Sequence, residues 1–244
     1  RDEIGELVQR ANYAMVFEST MDFEPNGAEN KRSLVVSRKG FDMFDVDIFG
    51  PGGHSGVISS KHERQNAILK AAEIIMELEN IADYSKETTL NTGFIHGGDA
   101  INVLATHIKF SFETRFRTLL EYERVKRDLT KLFAQKINKP FNYKIKSHKF
   151  YPPFDANEVD NKFFELCQQV GSLANIEVVP EKRGGGSEAS LIKYFNPRCA
   201  VLDGFGLRGE GQHTKEEFIY KYSLDQTIDF AENVILRIMQ STNN

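Results

Sequence analysis

"THIKFSFETRF", residues 106–116, is the stretch on which the fold turns. Ile108, Phe110, Phe112, Thr114 and Phe116 fall on one side of a period-two alternation. His107, Lys109, Ser111, Glu113 and Arg115 fall on the other. Such alternation predicts a β-strand with one face in a core and one in water. Upstream, "FDVDIFG" (44–50) repeats the pattern, with Phe44, Val46 and Ile48 opposite Asp45 and Asp47. Between the two, "RQNAILKAAEIIMELEN" (64–80) sets Ile68, Ala71, Ile75 and Leu78 at helical spacing, and "TTLNTGFIHGG" (88–98) reads as a strand. Downstream come a charged helix, "LLEYERVKRDLTKLFAQKI" (119–137), and a strand, "FNYKIKSHKF" (141–150). The order strand, helix, strand, strand, helix, strand predicts a ferredoxin-like βαββαβ unit: one antiparallel sheet with two helices on one face.

Outside this unit the pattern changes. "ANYAMVFEST" (11–20) is a short apolar strand ending in an acid, Glu18, and "MDFEPNGAENKRS" (21–33) reads as a loop. "DANE" (155–158) predicts a capping box with Asp155 as N-cap, opening a helix that carries Val159, Phe163, Leu166 and Val170. "IEVVPEKR" (176–183) is a strand, and "GGGSEASLIKYF" (184–195) is a glycine-rich turn into a helix. "CAVLDGFG" (199–206) has the continuous apolar character of a parallel strand buried on both faces. "SLDQ" (223–226) predicts another capping box, Ser223 to Gln226, opening the last helix. Helices and strands that alternate predict an α/β layer structure. Residues 1–37 and 151–244 are expected to build one α/β domain, with residues 38–150 inserted between its halves.

The 244 residues carry a net charge of −4, which leaves no basic surplus for a general nucleic-acid binder. No apolar run is long enough to span a bilayer. Cys167 and Cys199 read as two small buried hydrophobes, compatible with a reducing compartment. A cytoplasmic location is expected, with a periplasmic or secreted one left open. The opening "RDEIGELVQR" lacks a Met and reads as the middle of a helix, so the chain is expected to be a fragment.

Single candidates are modest taken one at a time. "GGGSEAS" could offer backbone N–H groups to an anion, or be no more than a tight turn. His54, beside two glycines, and His213, after a glycine-rich loop, could each be a solvated turn residue. Arg115 could be a surface ion-pair member, and Asn102 a turn residue. Glu18 stands where α/β sheets place ligand chemistry, at the carboxyl end of a buried strand.

The ordered set is more telling: "VFES" (16–19), "GPGGHSG" (50–56), "GGDAINVL" (97–104), "FETRF" (112–116), "GGGSEAS" (184–190) and "GEGQHTKEEF" (209–218). It resembles the zinc-dependent family of glutamate carboxypeptidases, acetylornithine deacetylases, succinyl-diaminopimelate desuccinylases and aminoacylases, over nearly the whole chain. The resemblance implies an α/β catalytic domain, here incomplete, with the βαββαβ unit as its lid and dimerisation domain. It implies hydrolysis of a peptide or N-acyl amide bond next to a free carboxylate, on a small peptide or N-acyl amino acid, by a homodimer joined through the lid. Glu18 then matches a ligand of one of two zinc ions, and His213 a ligand of the other. His54 matches a lid histidine that reaches the partner subunit's site and polarises the scissile carbonyl. Asn102 and Arg115 match residues that hold the substrate carboxylate, while Gly186 and Ser187 match a segment lining the pocket. A His-x-Asp motif, a bridging Asp and a Glu-Glu pair are implied upstream of "VFES". Two departures stand out: Ser187-Glu188 where much of the family has Thr-Asp or Ser-Asp, and Tyr151 where some carboxypeptidases have Arg. An N-acyl-amino-acid deacylase is the alternative within hydrolases. A non-catalytic dimerisation or binding module on the same scaffold is the alternative outside them.

Overall fold

In a computed structural model of the chain, the structure describes residues 2–21, 30–60 and 64–242. In chain order the first elements are α1 (Asp2–Val8), β1 (Tyr13–Val16), β2 (Thr20–Met21), β3 (Lys31–Arg38), β4 (Gly40–Phe49) and β5 (Gly53–His54). There follow α2 (Ala67–Leu78), β6 (Thr89–Gly97), β7 (Val103–Leu104), β8 (His107–Phe116), α3 (Leu119–Lys136), β9 (Asn142–Tyr151) and β10 (Phe154–Asp155). The last are α4 (Glu158–Leu173), β11 (Glu177–Arg183), α5 (Glu188–Phe195), β12 (Ala200–Asp203), β13 (Arg208–Glu210), β14 (Phe218–Ile219) and α6 (Tyr222–Thr242). Two compact units result, one of residues 1–38 and 154–244, the other of residues 39–153.

The 39–153 unit has a four-stranded antiparallel sheet in the order β6-β8-β4-β9. With β4, α2, β6, β8, α3 and β9 in sequence, this is the expected ferredoxin-like arrangement. The alternation holds as read: Phe44, Val46, Ile48, Ile108, Phe110 and Phe112 lie in one core with residues of α2 and α3. Burying side chains of this size contributes about 1.5–3 kcal/mol each. Both helices start on side-chain caps, Asn66 accepting from the Ile68 N–H and Thr118 from the Glu121 N–H. The buried stripe of α2 differs from the expected one. It is Ala67, Ala71, Ile74 and Leu78, while Ile68 is exposed and Ile75 only partly buried. The helix is apolar on more than one side, so its spacing alone left the inward face ambiguous.

The other unit is a three-layer α/β structure. Its main sheet runs β1-β12-β3-β10, with β11 also on β3. β1 pairs β12 in parallel and β11 pairs β3 in parallel. Along β12 the side chains alternate between layers. Ala200 and Leu202 pack with Phe163, Cys167 and Val170 of α4 and with Phe230 and Val234 of α6, whereas Val201 packs with Ala189 of α5. Both cysteines are buried and free. A small sheet, β14-β13-β2, lies in the same unit.

Three expectations are corrected here. The helix α4 is capped by Asn157, whose side chain accepts from Val159 and Asp160 N–H groups while Asp160 caps in return. Asp155 instead lies in β10, where its carboxylate accepts from the Ser37 hydroxyl at 2.5 Å. Ser223 lies inside α6, and its hydroxyl donates to the Tyr220 carbonyl at 2.7 Å. Of the loop expected over 21–33, residues 22–29 lie outside the described residues, but 31–33 begin β3. The reading missed β3 because charged Lys31, Arg32 and Arg38 bracket its apolar middle.

Candidate functional site

In the α/β unit, the chain beyond β1 is laid against the chain beyond β12. Phe205 N–H donates to Val16 C=O at 3.0 Å, Gly206 N–H to Glu18 C=O at 3.0 Å, and Thr20 N–H to Leu207 C=O at 3.0 Å. The contact is tight enough to require glycine: a Cβ on Gly206 would stand 2.5 Å from the Glu18 carbonyl oxygen. Glu18 is thereby held just past the carboxyl end of a parallel strand, with its side chain exposed. His213, also exposed, sits in the turn after β13 at φ 64°, a left-handed conformation uncommon for a non-glycine residue and concentrated at functional sites. Its N–H donates to Glu217 Oε2 at 3.3 Å, which leaves the imidazole uncommitted among the described residues.

The neighbours of these two residues touch. Gln212 Nε2 donates to Ser19 Oγ at 3.5 Å and to Gly209 C=O at 3.2 Å. Beside them, Thr20 Oγ1 and Gln212 Oε1 are buried polar atoms with no hydrogen-bond partner, in a protein interior where such atoms are few. A carboxylate and an imidazole, exposed on adjoining loops beside orphaned oxygens, are donors of the type that hold zinc. The described residues contain no cluster of three or more His, Cys, Asp or Glu side chains, so these two donors would serve a metal only together with others.

The glycine-rich turn is anchored from within. Ser187, at the N-cap position of α5, is buried and makes no cap bond. Its hydroxyl donates to Asp203 Oδ2 at 2.6 Å, the same oxygen that receives Arg38 Nε at 2.5 Å. Arg38 also donates from Nη1 to the Gly185 carbonyl at 3.0 Å. The turn therefore presents backbone and Gly186, which is half-buried, to its surroundings, while the Ser187 hydroxyl faces the interior. Sequence reading missed Arg38 and Asp203. The one available signal was an acid ending the apolar run "CAVLD", the same signal that marked Glu18.

In the 39–153 unit, His54 and Asn102 are brought together. β5 pairs β7 with His54 opposite Val103, and the Asn102 carbonyl accepts from both Ser55 N–H and Ser55 Oγ at 3.0 Å. Both residues are exposed. His54 Nδ1 accepts from the Gly56 N–H at 3.0 Å, which in the neutral ring assigns the proton to Nε2 and makes that atom a donor. Arg115 is elsewhere. The register puts His107 opposite Phe49 at the His54 end of the sheet and Arg115 opposite Phe41 at the other end. Eight residue steps along the strand separate these rungs, about 27 Å at the usual rise. The Arg115 guanidinium is oriented by Glu113 through bonds of 2.8 and 3.0 Å and lies over the Phe41 ring.

The family described as Peptidase dimerisation domain matches residues 36–139. Carboxypeptidase G2 from Pseudomonas sp. (strain RS-16) is 23% identical over 241 residues, covering 97% of this chain and 55% of its own length. Among solved structures, the aminopeptidase PepT from Bacillus cereus aligns with TM-score 0.72 and 20% identity, covering 95% of this chain and 59% of that one. A tripeptidase from Staphylococcus aureus aligns with TM-score 0.71 and 21% identity, covering 92% and 56%. Such structural likenesses establish the shared fold. The chain thus spans little more than half the length of the proteins it matches. Residues 36–139 thus match a peptidase dimerisation domain, on a chain that is similar over 97% of its own length to carboxypeptidase G2.

Proposed function

We propose that the full-length protein is a zinc-dependent hydrolase of peptide or N-acyl amide bonds next to a free carboxylate, working as a homodimer through the 39–153 unit. The observation that carries this reading is the convergence of Glu18 and His213 on adjoining loops at the carboxyl end of β1, with their neighbours Ser19 and Gln212 in contact. Glu18 and His213 would each serve one of two zinc ions. Bound zinc would supply Lewis-acid polarisation of the scissile carbonyl and a lowered pKa for its water. His54 would donate from Nε2 to the oxygen that gains charge as the amide is attacked. Arg115 would bind the substrate carboxylate, for which its planar fork is suited, and Asn102 would assist. Gly186 and the backbone at Ser187 would line the pocket.

The separation along the β4–β8 pair imposes a requirement. His54 and Asn102 lie at one end and Arg115 at the other, so a single 39–153 unit does not bring them to one small substrate. Two copies would, if the His54 end of one meets the substrate held by the other.

The test is a substrate panel on the full-length protein: dipeptides and N-acyl amino acids, each with a free and an amidated carboxyl terminus. Hydrolysis confined to free carboxylates, lost with a chelator and restored by zinc, is the expected result. A rate that is higher for N-acyl amino acids than for dipeptides would favour the deacylase. Equal cleavage of amidated substrates would remove the carboxylate-binding role, and absence of both zinc and hydrolysis would leave the dimerisation module.

A further inference from the structure

Arg32, in β3, is a buried cation with no ion-pair partner among the described residues; it is 5% exposed. Its partners are neutral. Nη2 donates to the carbonyls of Phe205 at 2.6 Å and Gly206 at 3.1 Å, and lies 3.5 Å from that of Gly204. Nη1 donates to the Thr227 hydroxyl at 3.2 Å, and the guanidinium carbon lies 4.9 Å from the Phe230 ring centre. Burial, then repulsion from Arg208, pulls this guanidinium down to about 10, so it remains charged at neutral pH. An apolar side chain of similar length would avoid the desolvation cost. The charge therefore calls for an explanation in what it holds.

What it holds is a turn with two sides. The Phe205 carbonyl and the Gly206 N–H belong to one peptide plane. The carbonyl accepts from Arg32 at 2.6 Å, and the N–H donates to Glu18 C=O at 3.0 Å. The preceding plane repeats this more weakly, with the Gly204 carbonyl towards Arg32 and the Phe205 N–H donating to Val16 C=O at 3.0 Å. A cation on a carbonyl polarises the peptide and strengthens the bond made by the same peptide's N–H. Gly206 makes the arrangement stiff, since its α-carbon is packed against the Phe17 and Glu18 carbonyls with no room for a Cβ.

We propose that Arg32 is a positioning residue for Glu18, acting through the Phe205–Gly206 peptide to fix the backbone from which the Glu18 carboxylate projects. Its bearing on metal binding rests on the reading of Glu18 as a zinc ligand. No contact between Arg32 and a metal or substrate is involved. Outer partners of metal ligands typically change affinity by about 10–100-fold when removed.

Two variants and two measurements test this. Arg32→Met keeps length and packing but removes charge and donors; Arg32→Lys keeps the charge and loses the fork. The first measurement is amide hydrogen exchange of the 244-residue chain by NMR. For Arg32→Met, the Gly206 amide should exchange about tenfold faster or more relative to the Leu202 amide in β12, and Arg32→Lys should fall between it and the wild type. The second is zinc retention by the full-length protein against a competing chelator, where Arg32→Met should lose about tenfold. An unchanged Gly206 amide, or equal acceleration of all amides in this unit, overturns the positioning role. Should Arg32→Met fail to fold, the same criterion applies to Arg32→Lys. A selectively loosened Gly206 with unchanged zinc retention leaves the positioning role standing and removes Glu18 from the metal site, so the two claims fail separately.

Discussion

His54 and Arg115 should fail differently when truncated in the full-length protein. The oxyanion to which His54 would donate exists only in the transition state, so His54→Ala should lower turnover by about a hundredfold or more with little change in the Michaelis constant. The substrate carboxylate keeps its charge throughout, so Arg115→Ala should raise the Michaelis constant more than it lowers turnover. Steady-state kinetics on both variants check the pair of roles; identical profiles would leave them unsupported. Asp160 makes a stability prediction of the same kind. It is fully buried and accepts from Lys193 Nζ at 2.7 Å, Val201 N–H at 2.7 Å and Asn157 N–H at 2.8 Å, joining α4, α5 and β12. Asp160→Ala strands a nearly buried ammonium and two amides. Urea titration should show a loss of about 3–5 kcal/mol, the usual cost of breaking a buried pair.

At the level of elements, the edges of the antiparallel sheet differ in kind. β9 carries Lys144, Lys146 and Lys149, the sort of charge that blunts an edge. β6 has no acidic or basic Asp, Glu, Lys or Arg side chain and exposes Phe94 and Ile95. If the homodimer forms by edge pairing, β6 is the edge it uses. Light scattering should then show Ile95→Lys weakening self-association of the full-length protein, while Lys146→Ala leaves it intact; the reverse pattern would transfer the interface to β9. The cap of α4 offers a second check. Asn157→Ala should cost about 1 kcal/mol in the same urea assay, as for other lost N-caps.

For the whole molecule, the pH response follows from the carboxylates of the 39–153 unit. Hydrogen bonds from Lys109 and Ser111 hold Asp45 below its usual value of 3.8, and Ser85 and Lys86 hold Asp83 at about 2. A carboxylate with a lowered folded-state pKa lends stability above its unfolded pKa and loses it as pH falls through the folded value. Thermal melts should therefore be nearly flat from neutral pH to about 5 and fall between about 4 and 2. A melting temperature unchanged at pH 2.5 would contradict this. Zinc binding should also depend on how much of the protein is present. In the proposed scheme this chain would supply Glu18 and His213, and its described residues contain no group of three or more possible metal ligands, against about three protein ligands for a typical catalytic zinc. Calorimetry on the 244-residue chain should show no submicromolar zinc site, and tight stoichiometric binding would mean that other side chains complete it.

Much of the fold follows from local pattern, as do the candidates for the site. Period-two alternation in 44–48 and 108–116 determined the antiparallel sheet, because the two faces of a strand are fixed by adjacent residues. The ordered motifs likewise marked Glu18, His54, Asn102, Arg115 and His213 as candidates. Other choices were made by residues far apart in the chain. "DANEVD" contains two possible capping boxes, Asp155 to Glu158 and Asn157 to Asp160, and pairing of β10 with β3 draws Asp155 into the sheet and leaves the cap to Asn157. Arg32 and Arg38 hid β3, since their charges are tolerable in a core only because the 204–206 turn and Asp203 meet them there. Nor could spacing tell that Arg115 lies at the end of the β4–β8 pair remote from His107, or that Ser19 and Gln212 touch across 193 positions of chain. Burial of a charge and convergence of distant loops depend on what arrives from elsewhere, and only the packed tertiary structure supplies that partner.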